Sequence, residues 1–182
     1  MKLYLCLMTL MLTLMTEAKT MKKEIATLAG GCFWGMEDII RNIPGVINTT
    51  VGYTGGKIDN PTYNIVRLGT SQHAEAVEVE FNPEKLSYEE LLGYFFRMHD
   101  PTTLNQQGND IGTQYRSAIF FHSEDQRKTA EEVIKKVTAA GKWKKPIVTQ
   151  VIPASKFYPA EDYHQDYLKK NPGGYTCHWL RD

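Results

Sequence analysis

The chain is 182 residues long and carries 21 basic and 21 acidic side chains, so its formal net charge is zero. This balance argues against nucleic acid as a main partner, because nucleic-acid-binding domains carry a basic surface. Hydrophobic residues make up 42% of the chain and charged residues 23%, as in an ordinary globular protein. We therefore expect residues 21–182 to form a single domain with one core.

The first twenty residues have a different composition from the rest of the chain. Lys2 is followed by an apolar run at 3–15 and then by the small residue Ala18. This pattern predicts a secretory signal peptide at 1–20, and the run is too short to span a bilayer. The protein would then be periplasmic or secreted. The alternative is a cytoplasmic protein that starts at Met21.

The remaining chain alternates between strand and helix patterns. Apolar alternation and turn residues predict strands at 24–29, 46–53, 73–81, 115–121 and 147–152. Helical spacing and caps predict helices at 34–42, from Ser87 to His99, from Ser123 to Gly141 and at 160–170. A polar loop is expected at 102–114. The first six elements have the order β-α-β-β-α-β, which predicts an α+β, ferredoxin-like two-layer sandwich with long coils and an irregular C-terminal tail.

A cysteine stands where the first strand gives way to the first helix. Residues 30–35 read Gly-Gly-Cys-Phe-Trp-Gly, so Cys32 precedes a helix start and two aromatic residues follow it. Free backbone N–H groups and the helix dipole favour an anion at such a position. A cysteine there is expected to have a lowered pKa and to be a reactive thiolate. The alternative, a small buried hydrophobic residue, is less consistent with this surrounding sequence.

One carboxylate falls on an apolar strand face. In the strand at 73–81, Glu75 alternates with Val77, Val79 and Phe81, whereas Glu78 and its other polar neighbours point the opposite way. Burial would raise the pKa of Glu75 and leave it protonated and able to donate a proton. The alternative is a buried ion pair with an arginine, for which the candidates are Arg67 and Arg116.

Four further side chains are candidates on weaker grounds. Tyr63 and Tyr115 close loops at strand edges, where a phenol can face a pocket. Asp110 lies in a tight Asn-Asp-Ile-Gly turn, where an Asx-turn role is the simpler interpretation. His164 could act as a base, a metal ligand or a hydrogen-bonding group at a helix N-terminus.

The chain contains three cysteines, and Cys6 would leave with the leader. Cys32 and Cys177 could then form a structural bridge or a working redox pair, and no Cys-x-x-Cys motif or cysteine-rich framework is present. Cys177 follows a Gly-Gly-Tyr-Thr segment that predicts a mobile tail. A mobile thiol suits a resolving cysteine better than a rigid structural bridge.

Several motifs in one order closely resemble the A-type peptide methionine sulfoxide reductases. The matching segments run from about residue 24 to residue 177 and are Gly31-Cys32-Phe33-Trp34-Gly35 with Glu37, Gly52-Tyr53-Thr54-Gly55-Gly56, Asn60-Pro61-Thr62-Tyr63, His73-Ala74-Glu75-Ala76, Gly108-Asn109-Asp110, Gly112-Thr113-Gln114-Tyr115-Arg116-Ser117-Ala118 and Tyr163-His164-Gln165. The resemblance implies a ferredoxin-like core, as the element order does. It also implies reduction of the S epimer of methionine sulfoxide, in oxidised proteins or as the free amino acid.

The resemblance also implies the roles of individual residues. Cys32 would attack the sulfoxide sulfur, and Phe33 and Trp34 would line a pocket for the substrate methyl group. The sulfoxide oxygen would accept hydrogen bonds from Glu75, Tyr63 and Tyr115. Glu75 would also donate a proton to it. Asp110 would support the site.

Recycling is the last expectation that follows from the resemblance. The Cys32 sulfenic acid would condense with Cys177, and thioredoxin or another dithiol would reduce the disulfide. No bound cofactor or metal is expected, and we expect a monomer. Many relatives carry two further cysteines in the tail, whereas only Cys177 follows the core here. A single resolving step is therefore expected.

Two other classes of function compete with this interpretation. A cysteine hydrolase would need the Cys32 sulfur activated by His73 or His164. A metal-binding module would use Cys32 and Cys177 with His164 or His178. No paired ligand spacing in the sequence supports a metal site.

Overall fold

The computed structural model describes residues 22–182, so the predicted leader at 1–20 lies outside the described residues. The strands are β1 (Glu24–Gly30), β2 (Val46–Thr54), β3 (Ala74–Phe81), β4 (Gln106–Gln107), β5 (Asp110–Ile111), β6 (Ser117–Phe121), β7 (Gln150–Pro153) and β8 (Tyr158–Pro159). The helices are α1 (Phe33–Ile40), α2 (Tyr63–Val66), α3 (Tyr88–Met98), α4 (Glu124–Ala139) and α5 (Tyr167–Lys170). Within residues 22–182, no helix is both long enough and apolar enough to cross a membrane.

The main sheet has six strands in the order β7-β6-β1-β3-β2-β8. Its four central strands, β6-β1-β3-β2, are antiparallel and belong to the β-α-β-β-α-β unit that the sequence predicts. Strand β7 adds to this core in parallel with β6, after the crossover through α4, and β8 pairs antiparallel with β2. The ferredoxin-like prediction is therefore confirmed, with one extra strand at each edge.

The helices α1, α3 and α4 cover one face of the sheet. The main core forms between them, with β3 contributing Val77, Val79 and Phe81, all fully buried. A second, smaller cluster lies on the opposite face, where Ala76 and Phe120 contact side chains from the end of β7 and from the coil that follows it. Because β3 is buried on both faces at its N-terminal end, Glu75 enters the protein interior.

Local sequence signals set the starts of the longer helices. The Ser87 hydroxyl accepts the Glu90 N–H, and the Glu90 carboxylate accepts the Ser87 N–H, so the predicted capping box is present. Ser123 caps α4 in the same way by accepting the N–H of Gln126. These two helices form where the sequence predicts them.

The predicted helix at 160–170 is wrong over most of its length. Only Tyr167–Lys170 is helical, and Asp166 just before it has a φ of 53°. The preceding turns instead place the side-chain amide of Gln165 against the edge of β2, where it accepts the Val51 N–H at 2.8 Å and donates to the Val51 carbonyl at 2.9 Å. This pairing with β2, next to the residues that pair with β8, outweighs the helical spacing of the segment.

The polar loop and the tail are more ordered than expected. The loop at 102–114 contains the hairpin of β4 and β5, and Tyr115 lies in a 3-10 turn rather than in the strand that begins at Ser117. The irregular C-terminal tail does not extend freely: the Arg181 N–H donates to the Arg97 carbonyl at 3.0 Å, at the end of α3. The tail is thus fixed to the core after Cys177.

Candidate active site

The reactive-cysteine position lies at the junction of β1 and α1, as predicted. Gly31 has a φ of 111°, a conformation that suits glycine, and it turns the chain from the strand into the helix. Cys32 precedes the first helical residue, Phe33, and its side chain is 7% exposed. The thiol therefore lies at the N-terminus of α1 but below the protein surface.

Glu75 lies beside this junction, on the helix-covered face of β3. It is 2% exposed, and its Oε2 accepts the Phe33 N–H at 3.2 Å. Burial raises the pKa of Glu75 to about 8, the Phe33 hydrogen bond acts against this shift, and the negative charge of Asp110 adds to it. Among the ion pairs of residues 22–182, none involves Glu75, so the alternative of a buried arginine pair is wrong.

A cavity of about 80 Å³ connects the cysteine and the carboxyl group. Its walls contain seven of the candidate site residues and one tyrosine that the sequence analysis did not select: Cys32, Phe33, Trp34, Tyr63, Glu75, Asp110, Tyr115 and Tyr175. These residues come from six separate parts of the chain. The fold thus gathers the candidates into one small pocket.

The pKa of Cys32 is shifted in the direction opposite to our expectation. Burial is the largest cause and raises the pKa of the thiol, and the charge of Glu75 raises it further when that carboxyl group is ionised. The Trp34 N–H at the helix start lowers the pKa, as expected, but this effect is smaller than desolvation. The expected lowering of the Cys32 pKa is therefore wrong, because burial favours the neutral thiol.

Trp34 forms a rigid aromatic wall of the cavity. Its ring stacks on Tyr167 at a centroid distance of 3.8 Å, and its Nε1–H donates to His164 Nδ1 at 3.0 Å. His164 lies before the first residue of α5, Tyr167, so it is not a helix-terminal hydrogen-bonding group, and its Nδ1 instead fixes the indole. Burial lowers the pKa of His164, which keeps the ring neutral and able to accept this hydrogen bond.

The two candidate tyrosines enter the cavity as neutral phenols. Tyr63 begins α2, where its N–H donates to Glu161 Oε1 at 2.9 Å, and Glu161 Oε2 accepts the hydroxyl of Tyr53. Burial, followed by the charge of Glu75, raises the pKa values of Tyr63 and Tyr115. Both hydroxyl groups can therefore donate hydrogen bonds to a polar atom in the cavity.

The tail brings the second cysteine to the same site. Cys177 and Cys32 are both free thiols, and the backbone N–H of Cys32 hydrogen-bonds to the sulfur of Cys177. Asp110 Oδ2 accepts the Tyr175 hydroxyl at 3.1 Å and the Cys177 thiol at 3.4 Å. Asp110 thus contacts the tail through Tyr175 and Cys177, and the mobility of the tail stays a prediction.

The sequence analysis did not select Tyr175 and named His178 only as a possible metal ligand, although both tail residues complete this arrangement. The Tyr175 hydroxyl lines the cavity, and His178 Nε2 lies 2.8 Å from the Gly30 carbonyl oxygen. Both flank Cys177 in the sequence within two residues. Their proximity to a candidate resolving cysteine was the signal that could have identified them.

Neither competing class of function gains support from the histidines. Both ring nitrogens of His73 contact backbone groups elsewhere, since Nδ1 accepts the Gly56 N–H and Nε2 lies 2.8 Å from the Ile58 carbonyl oxygen. Within residues 22–182, no three histidine, cysteine, aspartate or glutamate side chains are placed to share a metal ion. A thiol that faces a proton donor, with a second thiol in reach, is instead typical of a thiol-dependent oxidoreductase.

Comparison with known proteins identifies the family. The model of the peptide methionine sulfoxide reductase family matches residues 24–181. The peptide methionine sulfoxide reductase MsrA of Leifsonia xyli subsp. xyli is 54% identical over 158 residues, which cover 87% of this chain and 91% of the relative. The chain therefore belongs to the peptide methionine sulfoxide reductase family, in its A type.

Solved structures agree with this assignment. Reduced Mxr1 from Saccharomyces cerevisiae superposes with a TM-score of 0.83 at 42% identity, covering 88% of this chain and 93% of Mxr1. Mxr1 in complex with Trx2 matches with a TM-score of 0.60 at 30% identity, covering 90% of this chain and 97% of that one. The α+β fold is shared throughout these comparisons.

Proposed function

We propose that this reductase converts the S epimer of methionine sulfoxide to methionine, in oxidised proteins and as the free amino acid, and so repairs oxidative damage. The observation that carries the proposal is the shared cavity of Cys32 and Glu75, a nucleophile and a buried acid. Phe33 and Trp34 form its apolar wall and would receive the substrate methyl group. Tyr63 and Tyr115 would donate hydrogen bonds to the sulfoxide oxygen.

The first chemical step uses both protons of the neutral pair. Glu75 gives its proton to the sulfoxide oxygen, which makes the sulfur electrophilic, and the Cys32 sulfur forms a bond to it. The carboxylate left on Glu75 accepts the thiol proton as attack proceeds. The hydroxyl group then moves from the substrate sulfur to the Cys32 sulfur while the bond between the two sulfurs breaks, which leaves a sulfenic acid and the free thioether with no net change in protons. This sequence does not require a resting thiolate, which the buried site disfavours.

The second step involves Cys177, which lies against the backbone of Cys32. Condensation of its thiol with the sulfenic acid forms a disulfide and releases water. An external dithiol then reduces the Cys32–Cys177 bond by thiol–disulfide exchange. Yeast Mxr1 has been crystallised with Trx2, which supports thioredoxin as the reductant here.

Resolved sulfoxide epimers test the proposed activity. We expect enzyme with dithiothreitol to reduce a dabsyl-labelled methionine-S-sulfoxide and to leave the R epimer unchanged, as followed by chromatography of both substrates. Cys32→Ser should remove the activity completely, because a serine hydroxyl is a much weaker nucleophile and cannot form the sulfenic acid. Reduction of the R epimer alone would contradict the assignment.

The glycine in α1 tests whether docking of the tail matters. A Cβ at Gly35 would lie 2.7 Å from His178 Nδ1 and even closer to Thr176 Oγ1, so Gly35→Ala must displace the tail. We expect a stability loss of about 1–3 kcal/mol by urea unfolding and slower loss of the two free thiols after sulfoxide is added.

Gly93→Ala is the matched control for this change. Gly93 also lies in a helix, α3, but a Cβ there would meet nothing within 4 Å. It should stabilise the protein by about 0.5–1 kcal/mol through helix propensity and leave thiol loss unchanged. Equal thiol-loss rates in the two variants would show that tail position is unimportant.

The cellular setting is part of the same proposal. If residues 1–20 are a cleaved signal peptide, the single domain at 21–182 works in the periplasm or outside the cell, and an exported dithiol relay must replace cytosolic thioredoxin. If translation starts at Met21, the enzyme is cytoplasmic. We propose that it acts as a monomer without a bound cofactor or metal. N-terminal sequencing of the mature protein and its mass in solution test these points.

A further inference from the structure

The imidazole of His178 lies between the cysteine loop and the resolving thiol. Its Nε2 is 2.8 Å from the Gly30 carbonyl oxygen, and its Nδ1 is 3.5 Å from Cys177 Sγ. A carbonyl oxygen only accepts hydrogen bonds, so Nε2 must carry the proton. In the neutral ring, Nδ1 is then an unprotonated acceptor that faces the thiol. The contact with Gly30 thus fixes the tautomer that a base toward Cys177 requires.

The charged and titratable groups around His178 keep the ring in this form. They come from the tail, β5 and the end of α3, and they are Cys177, Arg181, Asp110 and His99. Burial is the largest effect and lowers the pKa of His178, Arg181 lowers it further, and the Gly30 carbonyl and Asp110 act in the opposite direction. Burial also lowers the pKa of His99, to about 3, so this neighbour adds no charge at neutral pH.

Cys177 cannot supply its own thiolate efficiently. Burial raises its pKa to about 11, and the hydrogen bond and charge of Asp110 add to this effect. At pH 7 such a thiol is ionised in roughly one molecule in 10⁴, although the thiolate is the form that attacks sulfur. The condensation therefore gains from a group that takes the thiol proton during attack.

We propose that His178 is the general base of the disulfide-forming step, which rests on the function proposed above. Nδ1 takes the Cys177 proton while the Cys177 sulfur forms a bond to the Cys32 sulfur. The S–O bond of the sulfenic acid breaks, and its hydroxyl leaves as water with a proton from Glu75. Cys177 is oxidised and the sulfenic sulfur is reduced by the same electron pair. His178 then loses a proton and Glu75 regains one through solvent, which closes the balance.

Asp110 is the other acceptor in reach of the thiol, and its role is different. Its Oδ2 already accepts the Tyr175 hydroxyl at 3.1 Å, and this bond holds the tail in place. Asp110 therefore orients the tail, whereas His178 accepts the proton.

The test separates the two chemical steps in enzyme mixed with excess methionine-S-sulfoxide and no reductant. Methionine formed per enzyme reports the first step, and loss of the second free thiol reports the disulfide. We expect His178→Gln to slow thiol loss by about 10²-fold or more, with a dimedone-reactive sulfenic acid accumulating after the methionine has formed. In the wild type, the thiol-loss rate should fall as the pH drops through the lowered pKa of His178, whereas in His178→Gln this acid limb should be replaced by a rate that climbs steadily with pH towards the Cys177 pKa of about 11.

Controls distinguish a chemical role from a structural one. Free imidazole should partly restore thiol loss in His178→Ala, an effect that mere tail displacement would not produce. Asp110→Asn should weaken the docking of the tail but keep the acid limb of the pH profile. Thiol loss in His178→Gln at the wild-type rate, or a slowing with the pH profile retained and no rescue by imidazole, would overturn the proposal. Absence of any methionine from the wild type would instead refute the proposed function itself.

Discussion

Glu75→Gln should lower the rate of the first turnover by about 10²- to 10⁴-fold, the usual contribution of a general acid. The amide keeps the size of the side chain and can still accept the Phe33 N–H, so the cavity is preserved. It has no acidic proton to give to the sulfoxide oxygen. Rapid mixing with methionine-S-sulfoxide, followed by quantification of methionine, measures the loss.

The pH dependence of the same step gives a second readout. Because the pKa of Glu75 is raised to about 8, the wild-type rate should be level below that pH and fall above it as the proton donor ionises. Glu75→Gln should be slow at every pH and lack this alkaline limb. A wild-type profile that rises with pH across this range would mean that thiolate formation limits the reaction, and the neutral-pair mechanism would be wrong.

Glu75→Gln should lower the activity but raise the free energy of unfolding at high pH. The pKa of Glu75 in the folded protein lies above its usual value of 4.5, so its favourable contribution is complete below pH 4.5 and is lost as the pH rises towards about 8. From the 1.36 kcal/mol per unit of linkage, the buried charge would cost about 5 kcal/mol at pH 9. Urea unfolding should therefore show Glu75→Gln near the wild type at pH 5 and clearly more stable at pH 9.

Glu78→Gln is the matched control for these measurements. Glu78 lies on the same strand, β3, but points to the opposite face and is half-buried. Its substitution should leave the first turnover unchanged. A loss of rate equal to that of Glu75→Gln would indicate that the strand, rather than the acid in the cavity, was disturbed.

The sequence predicted the position of this acid because strand alternation is a strong physical constraint. Val77, Val79 and Phe81 must face the core, and the period of two then places Glu75 with them. The same reasoning placed Cys32 at the start of α1, where a strand, two glycines and a helix pattern meet. Local periodicity was enough for both residues.

The sign of the Cys32 pKa shift could not be obtained in this way. It depends on competition between a local effect, the helix start at Trp34, and a global one, the burial of the thiol. The sequence displays the first effect, whereas the second needs the tail and the hairpin of β4 and β5, which close over the site from distant parts of the chain. Desolvation then proves larger than the N–H contribution.

The sequence also could not predict side chains that hydrogen-bond to a strand in place of backbone groups. The segment around Gln165 has helical spacing, yet its amide pairs with β2 at Val51. No local pattern shows that the Val51 N–H, 114 residues earlier in the chain, is left without a backbone partner just beyond the short pairing of β2 with β8. Such long-range pairing explains why the predicted helix at 160–170 is reduced to its last four residues.

Cys177→Ser should separate one turnover from continuous turnover. The serine hydroxyl is nearly isosteric with the thiol and can still donate to Asp110 and accept the Cys32 N–H, so the tail should remain docked. The first methionine should form rapidly, since Cys32 and Glu75 are intact. The sulfenic acid then has no thiol beside it, and no disulfide is available for thioredoxin to reduce.

We therefore expect thioredoxin-driven cycling of Cys177→Ser to stop after about one methionine per enzyme. The cycling is measured as NADPH consumption in the presence of thioredoxin reductase. The modified chain should carry a dimedone adduct on Cys32 by mass spectrometry. Cys32→Ser is the negative control, since it lacks the nucleophile and should form no methionine. Undiminished cycling of Cys177→Ser would mean that the reductant attacks the sulfenic acid directly, and Cys177 would then have no part in recycling despite its position beside Cys32.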